Sequence, residues 1–259
     1  MYTPGMRTLA LLAVIAAGVL AQSDPAFEVA TIKPSAPGQP GFGMGMAGHR
    51  FIGVNTTLRD LIAFAYGLHP DQITGGPPWI ASDKYDLYAE VTGKGAPESQ
   101  RIRAMVQQLM ADRFSLVFHR AKKELSVYAI VVAKSGAKFT GSAGEPNVNA
   151  SFDFPSLGRM TVHNATIADF AVWLERYVTD RPVMNQTGIE GKYNFTFDWS
   201  PDETQFPDLS EQLIQRASGR SERPDLYTAI QQQLGLKLES AKAPIEILVI
   251  DRAERPSDN

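Results

Sequence analysis

A chain of 259 residues, 44% of them hydrophobic, can bury a sizeable core, as one large domain or as two small ones. Its 25 basic and 28 acidic side chains give a net charge of −3 at pH 7, with no block of either sign, which argues against nucleic acid as a partner. Cysteine is absent, so disulfides and a thiol nucleophile are both excluded.

The first elements read as a targeting segment. One basic residue, Arg7, precedes the apolar run Thr8 to Leu20 (TLALLAVIAAGVL), and small residues follow at Val19 and Ala21. The run is too short for a membrane-spanning helix, which needs about 20 apolar residues. We therefore expect a signal peptide over 1–21, a mature chain from Gln22, a secreted or periplasmic location and no membrane span after cleavage. Removing Arg7 leaves 24 basic against 28 acidic side chains, a net charge of −4.

Phe27 to Ile32 (FEVATI) alternates apolar and polar residues as a strand does. The Gly- and Pro-rich PSAPGQPGFGMGMAGH, residues 34–49, predicts a long loop. Phe51 to Val54 is a short strand, and Thr57 to Tyr66 a helix with Leu58, Leu61, Ile62 and Ala65 on one stripe. Thr57 stands at its N-cap and Asp60 three residues on. Gly75-Gly76-Pro77-Pro78-Trp79 forms a turn before the strand KYDLYAEV, residues 84–91. A helix over Ser99 to Asp112 precedes two strand candidates, FSLVFH at 114–119 and LSVYAIVVA at 125–133. Gly136 to Pro155 has the composition of a linker.

The order then recurs. A strand at Met160 to Val162 leads into a helix at Thr166 to Tyr177, with Thr166 at the N-cap and Asp169 three residues on. KYNFTFDW at 192–199 falls opposite KYDLYAEV, and the Gln-Gln-Leu of the helix Leu226 to Leu234 falls opposite Gln107-Gln108-Leu109. A short helix is expected around 209–217, and strands at 236–239 and 245–251 close the chain. RFIGVNTTLRDLIAFA and RMTVHNATIADFAVWL are thus one phrase written twice, at an offset of about 109 residues that grows to about 120. The expected fold is α+β, with two sister domains of the pattern strand–helix–strand–helix–strand–strand. They are bounded as 22–140 and 156–259, with a linker at 141–155 and an insertion at 201–224 in the second.

FEVATIKPS, NTTLRDLIAFAY, ITGGPPWIASDKYDLYAE, LMADRFSLVFHRAKKELSVYAIVVAKSG, RPVMNQTGIEGKYNFTFDWSPD and LVIDRAERPSDN together resemble a family of secreted soil-bacterial proteins of unknown function. That family is of the acidobacterial, Solibacter type. The resemblance runs from Phe27 to Asn259 and brings no catalytic residues with it. Related domains look to be appended to membrane sensors of the β-lactam-responsive antirepressor type, which implies an extracytoplasmic sensing or interaction role. Each half also resembles, in pattern, the short N-terminal domain of secretins and TonB-dependent receptors. Those domains bind other proteins and catalyse nothing; the 201–224 insertion departs from their pattern.

Chemistry-bearing motifs are sparse. There is no Gly-x-Ser-x-Gly elbow, no Ser-x-x-Lys pair and no Gly-rich loop carrying Lys-Ser/Thr. The four histidines are scattered; Met44, Met46 and His49 are soft enough for Cu(I), but a glycine-rich loop imposes no geometry on them. Asp60 and Asp169 are explained by helix starts, and Asp86, Glu90 and Asp198 by wet strand faces. Trp79, Trp173 and Trp199 are candidates for a sugar platform, although Trp173 lies beside an apolar stripe and reads as core. Asn55, Asn149, Asn164, Asn185 and Asn194 each begin an Asn-x-Ser/Thr triplet, which turns and caps explain.

These readings point to an exported, non-enzymatic binding or sensing protein with no metal, cofactor or catalytic residue assigned. Its partner would be an envelope protein or peptide. The candidate contact is Gly75, Gly76, Pro77, Pro78 and Trp79, an aromatic side chain on stiff backbone; the competing assignment places Trp79 in the core. The edges of Lys84–Val91 and Lys192–Trp199 are candidates for strand addition. The alternative is a cell-envelope hydrolase acting on glycan or peptide in the inter-domain cleft.

Overall fold

The computed structural model describes residues 26–39, 41–91, 97–142, 150–202, 205, 212, 214–215 and 223–256. The expected signal peptide at 1–21 lies outside them, as do most of the 201–224 insertion and its expected helix. The elements are β1 (Val29–Pro34), β2 (Gly43–Ala47), β3 (Arg50–Thr56), α1 (Leu58–Tyr66), β4 (Ile73–Gly75), β5 (Tyr85–Glu90), α2 (Ser99–Phe114) and β6 (Val117–Val132). After them come β7 (Thr140–Gly141), β8 (Ser151–Ser156), β9 (Arg159–Ala165), α3 (Ile167–Tyr177), β10 (Val183–Asn185) and β11 (Tyr193–Asp198). Last are α4 (Leu226–Ala229), continued by a π-helical turn at Ile230–Leu234, and β12 (Leu236–Arg252). The protein is of mixed α+β class.

Three four-stranded sheets result, ordered β1-β5-β3-β2, β10-β6-β12-β4 and β7-β11-β9-β8. The first and third match strand for strand. Phe51 faces Ala89 and Gly53 faces Leu87, then the ladder slips before Thr56 meets Tyr85. Met160 faces Phe197 and Val162 faces Phe195, then the ladder slips before Ala165 meets Tyr193.

The slip explains the repeated Asn-x-Thr phrase. Asn55 and Asn164 sit at φ 53° and 52°, left-handed backbone that Asn tolerates better than most side chains. The Asn55 amide donates to Asp86 Oδ1 at 3.1 Å, and the Asn164 amide to Asn194 Oδ1 at 2.7 Å. Two residues later Thr57 and Thr166 cap their helices. Each Oγ1 accepts from the amide of Asp60 or Asp169 (3.2 and 3.1 Å), whose carboxylates accept from the threonine amides in return (2.8 and 2.9 Å).

The middle sheet belongs to both halves. β6 and β12 pair antiparallel along their lengths, with Glu124 opposite Pro244 near the centre. β4 runs parallel to β12 at Leu248–Ile250, and β10 runs parallel to β6 at Tyr128–Ile130. Each half thereby receives a strand end from the other. The first core packs Phe51, Leu61, Ile62, Met105 and Phe114 with Leu248 and Ile250 of β12. The second packs Phe170, Leu174, Phe197 and Trp199 with Tyr128 and Ile130 of β6.

Four expectations change. FSLVFH and LSVYAIVVA are not two strands: β6 is continuous, because its polar middle (Arg120 to Glu124) pairs with the middle of β12 and needs no burial. The two closing strands merge into β12 in the same way, and Pro244 is accommodated where β6 is the only neighbouring strand. The 34–49 segment is not all loop: Gly43–Ala47 forms an edge strand on β3, with Met44 and Met46 packed against the first core. Finally, the strands of 84–91 and 192–199 are not edges, since β5 lies between β1 and β3 and β11 between β7 and β9.

The halves differ at one such place. β1 accompanies β5 for six residues, whereas β7 accompanies β11 for two. Beyond β7 the Gln233 carboxamide takes over: its Oε1 accepts from the Asp198 amide at 2.9 Å and its Nε2 donates to the Asp198 carbonyl at 2.6 Å. A side chain thus stands in for the missing strand.

Candidate functional site

The turn singled out from the sequence is exposed at Gly75, Gly76 and Pro78 and directs its indole inward. Gly75 ends β4 at φ 76°, where a Cβ would stand 2.7 Å from the Ile250 carbonyl oxygen; Gly76, at φ 71°, would place one 3.0 Å from Ile250 Cγ2. These two glycines let the chain pass against β12. Pro77 and Pro78 then start a single 3₁₀ turn over Pro78–Ala81. It delivers Trp79 to the first core, where it is 9% exposed. The indole stacks on Phe114 with centroids 6.5 Å apart, and the Arg255 guanidinium covers it at 5.2 Å. Arg255 is held by Asp83 at 2.8 Å, so the turn also fastens the C-terminal segment.

The aromatic surface lies in the other half. A groove of about 710 Å³ is lined by Phe152, Phe154 and Ser156 of β8, by Leu157 and Gly158 of the turn that follows, by Trp173 and Tyr177 of α3, and by Trp199. It forms because two periodicities meet. Phe152 and Phe154 are two apart on a strand and share a face; Trp173 and Tyr177 are four apart on a helix and share a stripe. Phe154 stacks on Trp173 at 4.9 Å and 25°, Phe152 at 6.2 Å and 14°, and Tyr177 lies 5.6 Å from the same ring.

Exposure divides these residues into floor and rim. Trp173 and Trp199 are buried, while Phe154 and Tyr177 are 50% and 52% exposed. The floor is held rigidly. The Trp199 amide donates to the Gly158 carbonyl at 2.8 Å, its indole Nε1 to Gln205 Oε1 at 2.8 Å, and Arg223 Nη1 to the Gly158 carbonyl at 2.9 Å. Gly158 is at φ 76°, and a Cβ there would lie 2.3 Å from the Trp199 carbonyl oxygen, so only glycine fits. Among the described residues β8 is the outer strand of its sheet.

Among the described residues the lining contains one aliphatic hydroxyl, Ser156, and no His, Asp or Glu. The described lining offers apolar and aromatic contact. A smaller, polar hollow of about 330 Å³ lies between Ala47, His49, Arg50, Glu90 and Val91, with Arg50 and Glu90 paired at 3.0 Å. His49 lines that hollow, while Met44 and Met46 pack against the core. Among the described residues no group of three or more His, Asp or Glu is placed to hold a metal ion. No described helix is long and apolar enough to cross a membrane.

Titratable groups collect instead where the halves meet. His69 is buried, its Nδ1 accepting from the Asp71 amide at 3.2 Å. Burial draws its pKa down, against the upward pull of Asp71, Asp180 and the Thr179 backbone. Glu175 of α3 accepts from the Val183 amide at 2.9 Å, and burial pushes its pKa up. Both are positioned by backbone partners and neither lines the groove.

Sequence reasoning missed Phe152 and Phe154 because they fell in a stretch read as linker. The alternation in Ser-Phe-Asp-Phe was the available signal. It located Trp173 and Trp199 and read Trp173 as core, which its burial bears out, but the exposed rings stacked around it were not foreseen.

An α+β protein with an aromatic groove in one half is the class these features define. The chain belongs to the family described as "Protein of unknown function (DUF3738)", which matches residues 59–253, more than half of its length. No curated protein and no solved structure matches it.

Proposed function

We propose that this is an exported, non-enzymatic binding protein that captures an apolar segment of another envelope protein or peptide in the groove between β8 and α3. The observation that carries the reading is the groove itself: an open apolar slot with two half-exposed rings at its rim over two buried indoles. Rigid aromatic surface loses little conformational entropy on docking, so it makes favourable contact area. Its volume is within the usual range for ligand sites. Export is inferred from the composition of residues 1–21. The binding role also draws on the pattern shared with the short N-terminal domains of secretins and TonB-dependent receptors.

The same proposal includes the origin of the fold. Two copies of one unit, sister halves joined by the antiparallel β6–β12 pair, account for the matched strand order, the matched ladder slips and the two capping boxes. The groove lies in the second copy; in the first, the strand that corresponds to β8 carries Met44 and Met46.

Selection of a displayed peptide library on the chain from Gln22 onward tests this reading. Recovered peptides should share an aromatic or aliphatic residue and bind Phe154→Ala at least about tenfold more weakly, as loss of a central contact requires. Peptides with no apolar preference, or with equal affinity for the variant, would contradict it. So would turnover of an envelope glycan or peptide that a single Asp, Glu, Ser or His substitution abolished, which would favour the hydrolase.

A further inference from the structure

The groove is apolar along its walls, and two cations outside its lining stand near Tyr177. Arg103 of α2 brings Nη1 to 3.0 Å from the position that a Cβ on Gly67 would occupy. Arg176, next to Tyr177 on α3, holds its guanidinium 6.0 Å over the Phe64 ring. Phe64 and Gly67 are one turn apart at the end of α1, so both guanidiniums stand on one patch of that helix end. They sense each other: the Arg103 pKa is lowered by burial and then by Arg176, with Tyr177 opposing.

Among the described residues neither cation has a carboxylate within ion-pair distance. The nearest along α3, Glu175, is turned to the Val183 amide; burial raises its pKa and Arg176 draws it back down. The carbonyl end of α1 offers only about half a negative charge. Two guanidiniums thus stand side by side near Tyr177 with no ion pair among the described residues.

Resting on the binding role proposed above, we propose that the groove recognises the free C-terminus of a peptide. Its last side chain, aromatic or aliphatic, lies against Phe154 and Trp173, and its carboxylate is held by Arg103 and Arg176. A chain terminus places an anion and an apolar side chain on a single carbon, which suits adjacent cationic and apolar surfaces. Guanidinium and carboxylate also match as bidentate partners. A terminus suits the edge as well: β8 carries Asp153 and Pro155, features that blunt extended strand pairing, and a terminal residue needs only a short ladder.

Calorimetric titration with acetyl-Gly-Gly-Leu-Phe, as the free acid and as its C-terminal amide, tests this. The acid should bind at least about tenfold tighter than the amide, the scale of a charge-assisted contact. Arg176→Gln, a change at an exposed position, should erase that difference while leaving the unfolding midpoint in place. Phe154→Ala should weaken acid and amide alike. Equal binding of acid and amide, both sensitive to Phe154→Ala, would overturn the carboxylate site and leave the groove's binding role standing. Decanoate binding that depends on Arg176, without binding of the peptide acid, would overturn the peptide terminus in favour of a fatty acid. Absence of any binding sensitive to Phe154→Ala would overturn both the inference and the role it rests on.

Discussion

Two aromatic residues show how differently the same chemistry is used in this chain. Trp79 follows two glycines and two prolines and is stacked between Phe114 and Arg255; Phe154 lies on an outer strand, half exposed, and stacks on Trp173. Trp79→Ala should therefore leave a cavity and cost about 3–5 kcal/mol. Phe154→Ala gives up one exposed stacking contact and should cost about 1 kcal/mol. Denaturant unfolding of the two variants checks the contrast. A near-neutral Trp79→Ala would return that residue to the role of a surface contact, and a Phe154→Ala as damaging as Trp79→Ala would make the groove a piece of the core.

At the scale of elements, legibility followed how local the determinants were. The capping boxes at Thr57 and Thr166 and the stripes of α1 and α3 depend on residues within one or two turns, and they stand where the spacing predicts them. The continuity of β6 and β12 was not legible, because a polar run such as His119 to Glu124 reads as a break until a partner strand supplies its hydrogen bonds. β2 was hidden by its glycines, since only Met44 and Met46 carry the alternation and their core lies on other elements. The position of β5 and β11 inside their sheets could not be read at all: that depends on β1 and β7, distant in the chain. The same non-local logic predicts a role for Gln233, whose carboxamide closes the ladder where β7 ends. Gln233→Ala should leave the Asp198 amide and carbonyl without partners and cost about 1–3 kcal/mol in denaturant unfolding. A variant within about 0.3 kcal/mol of the wild type would mean that water replaces the side chain without loss.

Across the whole molecule, the two halves are coupled by the antiparallel β6–β12 pair and by the contact of His69 with the Thr179–Asp180 segment. That contact carries a pH dependence of definite sign. Because burial lowers the His69 pKa, the unfolded chain binds a proton more readily there, and stability falls as pH drops below the ordinary value of 6.5. Asp71, Asp180 and the Thr179 backbone face His69 and lessen the shift. Glu175 acts in the opposite sense: its raised pKa makes the folded state the better proton acceptor, so stability rises as pH falls from that raised value towards 4.5. His69→Asn keeps a cap acceptor for the Asp71 amide and removes the titration. Between pH 7.5 and 5.5 the wild type should therefore lose more stability than His69→Asn, and parallel curves would contradict the assignment.

The most direct test of the central claim is amide hydrogen exchange on the chain from Gln22 onward, with and without a peptide selected for binding. Added protection should fall on β8 and the turn after it, residues 151–158, and on the part of α3 that faces them, residues 172–177. Protection confined to residues 73–81 around Trp79, with 151–158 and 172–177 unchanged, would contradict the account and return the binding surface to the glycine–proline turn.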